Sequence, residues 1–239
     1  MLRNQISQSA GQIMKCLNCG NQITNNLKIK EIFLFKEITP TYICNLCRSQ
    51  LAPLAGRNNC PRCCKPDVGG ICPDCQLWEE KYQVINCHQA LFEYNQFIHS
   101  YFKLYKRYGD VLLAKLFYQD IKSWSQKNQF DVITYIPASE THLRARGFDP
   151  VYELYADIFE LKKLLTKVDA DKPQAQKNRL ERLRTPQTFA ALPELKQVQK
   201  EQSILILDDI YTTGRTLMHA HDIFLKAGFK EIHTFSLSR

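Results

Sequence analysis

Residues 204–217 read ILILDDIYTTGRTL. Four branched apolar residues run without a break into two adjacent carboxylates, Asp208 and Asp209. A turn follows that carries Thr212, Thr213 and Thr216 around Gly214. An uninterrupted apolar run ended by turn residues has the texture of a strand buried on both faces, as in a parallel sheet. Ligands of such sheets collect beyond the carboxyl ends of the strands, and the acidic pair stands at one of those ends. A helix is expected to begin near Thr213 or Gly214, and its free N–H groups and positive dipole end favour a phosphate. The threonine hydroxyls add donors, and glycine lets the backbone approach closely. Two carboxylates beside an anion-binding turn suit a ligand with sugar hydroxyls at one end and a phosphate at the other.

The neighbouring segments support a parallel sheet. FDVITYIP (130–137) reads as a short strand, followed by the polar, basic loop ASETHLRARGFDP and by a helix over VYELYADIFELKKLL. Residues 166–188 show little apolar periodicity, carry five basic residues between Lys172 and Arg184, and read as a mobile loop or a loop with a short helix. TTGRTLMHAHDIFLKAG gives a helix closed by Gly228, and KEIHTFSLSR a last strand. Upstream, VINCHQALFEY reads as a strand or hairpin. Asn95 is placed to cap the helix QFIHSYFKLYKRY, which carries Phe97, Ile98, Tyr101, Phe102 and Tyr105 on one face and ends at Gly109. A further helix is expected from Asp110. Strands alternating with helices imply a largely parallel sheet covered on both faces.

Ahead of this α/β region lie the cysteines. Eight of the ten form four Cys-x-x-Cys pairs: Cys16/Cys19, Cys44/Cys47, Cys60/Cys63 and Cys72/Cys75. The first fifteen residues lack the apolar block of an export signal, and no apolar run approaches the roughly 18 residues that span a bilayer. A cytoplasmic protein without membrane insertion is therefore expected, and cytosolic paired thiols point to metal rather than disulfides. Two tetrahedral zinc sites follow, neighbouring pairs sharing an ion, with crossed pairing left open. Cys64 competes with Cys63 as a ligand, although the spacing favours Cys63. Cys64 and Cys87 otherwise read as small buried hydrophobes. Four thiolates around a divalent ion leave each site at about −2, which lowers the formal +8 of the 239-residue chain to about +4. Such a mild excess permits an anionic partner without demanding one. The expected organisation is a disordered extension over 1–15, a double zinc ribbon over 16–80 and an α/β domain over 81–239. Met14 is the expected true start of translation.

The string from Ile204 to Thr216 resembles the 5-phosphoribosyl-1-pyrophosphate (PRPP) signature of type I phosphoribosyltransferases: apolar strand, acidic pair, short spacer and a T-T-G-x-T loop. Preceded by paired cysteine ribbons, it resembles the ComF family of competence proteins over residues 16–239. CPRC and CPDC, YKRYGD, LRARGF, and PQ followed by KNRLERL carry that likeness. Two features depart from it: Cys64 stands where a glycine is common, and Ala138, Ser139 and Asp149 replace bulkier apolar and asparagine residues. The resemblance implies a type I phosphoribosyltransferase-like fold in which Asp208 and Asp209 hold the ribose hydroxyls, directly or through magnesium. Ile210, Tyr211, Thr212, Thr213, Gly214, Arg215 and Thr216 would wrap the 5-phosphate. Ala138, Ser139, Arg144 and Arg146 would face pyrophosphate. It also implies single-stranded DNA uptake in natural transformation beside a helicase-like partner. The basic, aromatic stretch YFKLYKRY suits single-stranded DNA as well, although a buried helix face explains most of its rings. A phosphoribosyl transfer to an unidentified amine or base, and a ribbon adaptor with a vestigial nucleotide site, stay open. His88, His99, His219 and His221 read as packing or surface residues. Elemental mass spectrometry of the fully reduced protein should count two zinc ions per chain; fewer than two contradicts the pairing.

Overall fold

Ile204, Leu205, Ile206 and Leu207 are all fully buried. Alternate strand residues face opposite sides of a sheet, so Leu205 and Leu207 enter one apolar cluster while Ile204 and Ile206 enter another. The structure, a computed structural model, describes residues 14–23, 40–82, 87–168 and 187–239. Residues 1–13, 24–39, 83–86 and 169–186 lie outside the described residues, and with them the start of VINCHQALFEY and the KNRLERL stretch.

Five strands form one sheet: β1 (His88–Phe92), β2 (Val132–Tyr135), β3 (Leu161–Lys162), β6 (Ile204–Ile210) and β7 (Ile232–Ser238). Their order is β1-β7-β6-β2-β3, and every neighbouring pair is parallel. A separate antiparallel pair joins β4 (Leu165–Lys167) to β5 (Phe189–Ala191). The described helices are α1 (Asn45–Arg48), α2 (Pro73–Tyr82), α3 (Gln96–Phe102), α4 (Tyr118–Ser125), α5 (Glu140–Arg146), α6 (Pro150–Tyr155) and α7 (Arg215–Lys226). Val151, Leu154 and Tyr155 of α6 pack into the cluster of Leu205 and Leu207. Leu217, Ala220 and Phe224 of α7 pack into the cluster of Ile204 and Ile206. The sheet is thus flanked by helices on both faces, as the unbroken apolar run requires. The chain leaves β2 towards β3 and leaves β6 towards β7, in opposite directions. The crevice between the carboxyl ends of β2 and β6 is therefore the topological switch point.

The aromatic face of α3 behaves as its spacing predicts. Asn95 caps the helix, its side chain accepting from the Ile98 N–H at 3.1 Å, and Phe97, Ile98, Tyr101, Phe102 and Tyr105 are all buried. The helix continues through a wider π-turn over Lys103–Arg107 and ends at Gly109, which takes φ +76°. Asp110 then precedes a 3-10 helix, Val111–Phe117, that leads into α4.

Three expectations are corrected. The helix expected over 151–165 stops at Tyr155, and Leu161–Lys162 instead pairs with Ile133 and Thr134 as the sheet's edge strand. Burial of Leu164 and Leu165 and the free edge of β2 outweigh the local helical pattern there. The polar loop after Pro137 contains α5: the Ser139 hydroxyl caps it and Gly147 closes it at φ +83°. Cys87 is exposed rather than buried, whereas Cys64 is half-buried.

The cysteine segments lie against this sheet. The Leu54 N–H bonds the Leu91 carbonyl at 2.9 Å, and the Glu93 N–H bonds the Ala52 carbonyl at 2.8 Å, so residues 52–54 cover the outer edge of β1. Cys16, Cys44 and Cys47 belong to the Leu205/Leu207 cluster, and Cys60, Cys63, Cys72 and Cys75 to the Ile204/Ile206 cluster. Truncating Ile206 to alanine at the centre of the sheet should lower unfolding free energy by about 2–5 kcal/mol, read from urea denaturation at matched zinc content.

Candidate functional site

Parallel pairing of β2 with β6 sets Tyr135 opposite Leu207, and the Ile136 N–H bonds the Leu207 carbonyl at 2.9 Å. The segment after β2 therefore starts beside Asp208 and Asp209. Both carboxylates are almost enclosed, at 7% and 8% exposure. Asp208 accepts from the Asp209 N–H at 2.9 Å, and the Tyr155 hydroxyl donates to the Asp208 backbone carbonyl at 2.7 Å. Burial, and secondly the neighbouring Asp209 charge, push the Asp208 carboxyl up to about 8. Asp209 is ion-paired with the Lys106 ammonium, which reaches in from the π-turn after α3.

The turn beyond the pair is narrow. Gly214 sits at φ +79° directly under the Tyr211 ring: a Cβ there would lie 2.1 Å from the Tyr211 hydroxyl oxygen. Glycine is therefore required both by the left-handed backbone and by the ring. Gly214 is also the N-cap of α7 and has no side chain with which to cap the first helical amides. Thr212 is exposed, Thr213 and Thr216 are half-buried, and Tyr211 and Arg215 are buried. The depression lined by Asp208, Ile210, Tyr211, Thr212, Gly214, Thr216 and Leu217 encloses about 10 Å³. That is room for about one water, so a phosphoryl group enters only if the turn widens.

The segment on the β2 side is partly committed to its own structure. The Ala138 N–H donates to Asp149 at 2.8 Å, and Asp149 also caps α6 through the Val151 and Tyr152 amides. Ser139 is buried and caps α5. Arg144 is held on the open face by Glu140 at 3.2 Å. Arg146 is the one that turns inward: its Nε donates to the Lys106 carbonyl at 2.8 Å. With Lys106, Arg107, Tyr108 and His142 it lines an open, cationic cleft of about 460 Å³. Lys106 and Arg107 read from sequence as part of the basic, aromatic stretch suited to single-stranded DNA; their place beside Arg146 and Asp209 depends on tertiary packing.

His88, His219 and His221 are buried and His99 is exposed. Burial pushes His219 and His221 down to about 4 and His88 well below its ordinary value. His88 bonds Thr234 and Ser236 at 2.9 and 3.1 Å and tilts against Tyr211. His99 is exposed beside Tyr94.

Both cysteine groups assemble as neighbouring pairs. Cys16, Cys19, Cys44 and Cys47 bring their sulfurs within 4.8 Å of one another, and Cys60, Cys63, Cys72 and Cys75 do the same. The sulfur–sulfur separations are 3.6 Å for Cys19–Cys44, 3.6 Å for Cys63–Cys72 and 3.9 Å for Cys60–Cys75. A tetrahedral ion with sulfur at about 2.3 Å requires edges of about 3.8 Å, so both groups fit zinc. Cys64 takes φ +58°, the left-handed conformation for which a glycine would be preferred, and its thiol donates to the His88 carbonyl at 3.3 Å, outside the four-sulfur set. Among the described residues no helix is long and apolar enough to cross a membrane.

A parallel sheet covered by helices on both faces, with two four-cysteine groups docked against it, defines the class. The chain is 35% identical over 227 residues to the competence protein ComFC of Streptococcus pneumoniae (strain ATCC BAA-255 / R6), covering 95% of this chain and 100% of that protein. It is 28% identical over 246 residues to the competence protein ComFC of Bacillus subtilis (strain 168), covering 98% and 99%. The chain belongs to the ComFC family of competence proteins. No family model matches it. Among solved structures, that of the allosteric regulatory enzyme of purine biosynthesis aligns with 47% of this chain and 23% of its own, at 19% identity and a TM-score of 0.29. A likeness that faint identifies neither fold nor ligand.

The raised Asp208 carboxyl has a consequence for stability. A folded-state value near 8, against an unfolded value near 3.8, means the folded chain holds the extra proton between those limits, so its stability falls as pH rises across them. In magnesium-free buffer, Asp208→Asn should raise the melting temperature above wild type at pH 9 and change it little at pH 4.5. An equal difference at both values would contradict the assignment.

Proposed function

We propose that this protein assists the handling of single-stranded DNA in natural transformation and holds, at the tip of β6, PRPP or a related phosphoribosyl ligand together with magnesium. The supporting observation is one juxtaposition: the acidic pair, the amide-rich turn and the cleft of Lys106, Arg107 and Arg146 meet at the switch point of the sheet. In this reading Asp208 and Asp209 hold the ribose hydroxyls, directly or through magnesium, whose positive charge would draw the Asp208 proton off. Thr212 to Thr216 receive the 5-phosphate once the turn widens. Lys106 leaves Asp209 when the cation arrives and joins Arg146 at the pyrophosphate, where guanidinium and ammonium donors suit phosphate oxygens. Ala138 and Ser139, with amide and hydroxyl already engaged, shape that side, and Arg144 contributes long-range charge.

The DNA half of the reading draws on the same edge. Tyr108 is 66% exposed at the mouth of the cationic cleft, with the Lys103 ammonium 6.0 Å from its ring centre. An exposed ring among cations is the combination that tracks a single strand, bases stacking on the ring while phosphates meet the charges. Zinc fills both four-cysteine groups, and the reducing cytoplasm keeps their thiolates available. A helicase-like partner would complete the pathway of the strand.

Calorimetry with PRPP and magnesium tests the first half: wild type should bind, and the Asp208→Ala/Asp209→Ala variant should not. No heat with wild type would remove the sugar-phosphate site. A labelled single-stranded oligonucleotide tests the second, its affinity expected to fall steeply between about 50 and about 300 mM salt. Tyr108→Ala should weaken that binding by about 1–3 kcal/mol while leaving PRPP binding in place; a flat salt response would rule out phosphate contacts.

A further inference from the structure

The second four-cysteine group touches the turn at Thr212 and Thr213 through two side chains that the reading above leaves unused. Arg239 spans the gap. Its guanidinium donates to the Cys63 carbonyl at 3.1 Å and to the Cys63 sulfur at 3.3 Å, and on the other side to the Thr212 carbonyl at 2.8 Å and the Tyr211 carbonyl at 3.3 Å. It also lies over the Tyr211 ring, 4.7 Å from the centre. Its own backbone is fixed to β1, the Arg239 N–H bonding the Phe92 carbonyl and the Tyr94 N–H bonding the Arg239 carbonyl, each at 2.9 Å. Trp78, fully buried on α2 three residues after Cys75, donates its indole N–H to the Thr213 carbonyl at 2.7 Å.

These bonds orient the turn. A trans peptide is planar, with its N–H pointing opposite to the preceding carbonyl. Holding the Thr212 and Thr213 carbonyls towards the cysteine group therefore turns the amides of Thr213 and Gly214 away from it, free to meet an anion. A planar guanidinium can bond thiolate and carbonyl at once, whereas an ammonium on a flexible stem cannot hold both in one geometry. The first group, around Cys16, packs into the cluster on the opposite face of the sheet.

We propose that Arg239 and Trp78 are positioning residues for the phosphate turn, and that through them metal occupancy of the Cys60/Cys63/Cys72/Cys75 group and sugar-phosphate occupancy of the turn favour each other. The inference rests on the reading that the turn takes a sugar phosphate. Linkage makes the coupling reciprocal: metal at the second group tightens sugar-phosphate binding, and the sugar phosphate tightens metal retention by the same factor. The group around Cys16 takes no part and serves as the internal reference.

The test uses the full-length zinc-loaded protein, a zinc chelator, a thiol-alkylating reagent and peptide mapping, which reports each cysteine group separately, with ribose 5-phosphate as the probe ligand. Saturating ribose 5-phosphate should slow alkylation of Cys60, Cys63, Cys72 and Cys75 by about five- to tenfold, the scale of ordinary coupling between sites. Cys16, Cys19, Cys44 and Cys47 should be unaffected. In Arg239→Lys, which keeps the charge, and in Trp78→Phe, which keeps the ring and loses the indole donor, that protection should shrink towards onefold and ribose 5-phosphate affinity should fall. Equal protection of both groups, or undiminished protection in both variants, would overturn the linkage. Binding of ribose 5-phosphate to wild type without any protection would overturn it while sparing the sugar-phosphate reading. Failure of wild type to bind the probe at all would overturn both.

Discussion

The parallel pairing of β2 with β6 is the constraint on which the rest depends. It places two buried strand ends side by side, and their connections leave in opposite directions, which opens a crevice between them. Into that space β6 delivers two carboxylates and a left-handed turn, and β2 delivers a short capped helix with Arg146 on its inner side. Slipping the pairing by one residue would turn each side chain of β6 to the opposite face and carry the carboxylates out of line with the end of β2. The apolar run anchors the strand between both layers, and the register sets where the charges emerge.

Charge at this edge is held under tension. Two adjacent carboxylates with so little solvent cannot both ionise freely, and the protein answers with a raised Asp208 and an ion pair from Lys106 to Asp209. Lys106 reaches Asp209 because the helix after Asn95 widens into a π-turn before Gly109. The same turn leaves Tyr108 in solvent and Arg107 at the cleft. The ion pair balances one carboxylate at this edge and leaves Asp208 as the group whose charge burial opposes.

The four-cysteine groups replace apolar core where the sequence has little of it, yet they do not stand apart from the sheet. One sits in each of its two apolar clusters, and residues 52–54 between them run along β1. The second group is joined to the turn after β6 by hydrogen bonds of Arg239 to Cys63 and Thr212, and Trp78 on α2 bonds the Thr213 carbonyl.

Local sequence determined a good deal. The unbroken ILIL run marked a doubly covered strand, because only burial on both faces tolerates four consecutive apolar side chains. The x-x spacing marked the four-sulfur sets, because a single tight turn presents two sulfurs to one ion. The aromatic face from Phe97 to Tyr105 followed from helical periodicity alone. Tertiary structure decided what depends on distant partners. Leu161 and Lys162 became a strand because β2 offered an open edge, against their local helical pattern. Ala138 lost its free amide to Asp149, eleven residues on. Lys106 found Asp209, and Arg239 found Cys63 and Thr212, across separations that no periodicity records. Periodicity reports which face of an element is buried; which charged side chains meet across a crevice is set by how the elements pack.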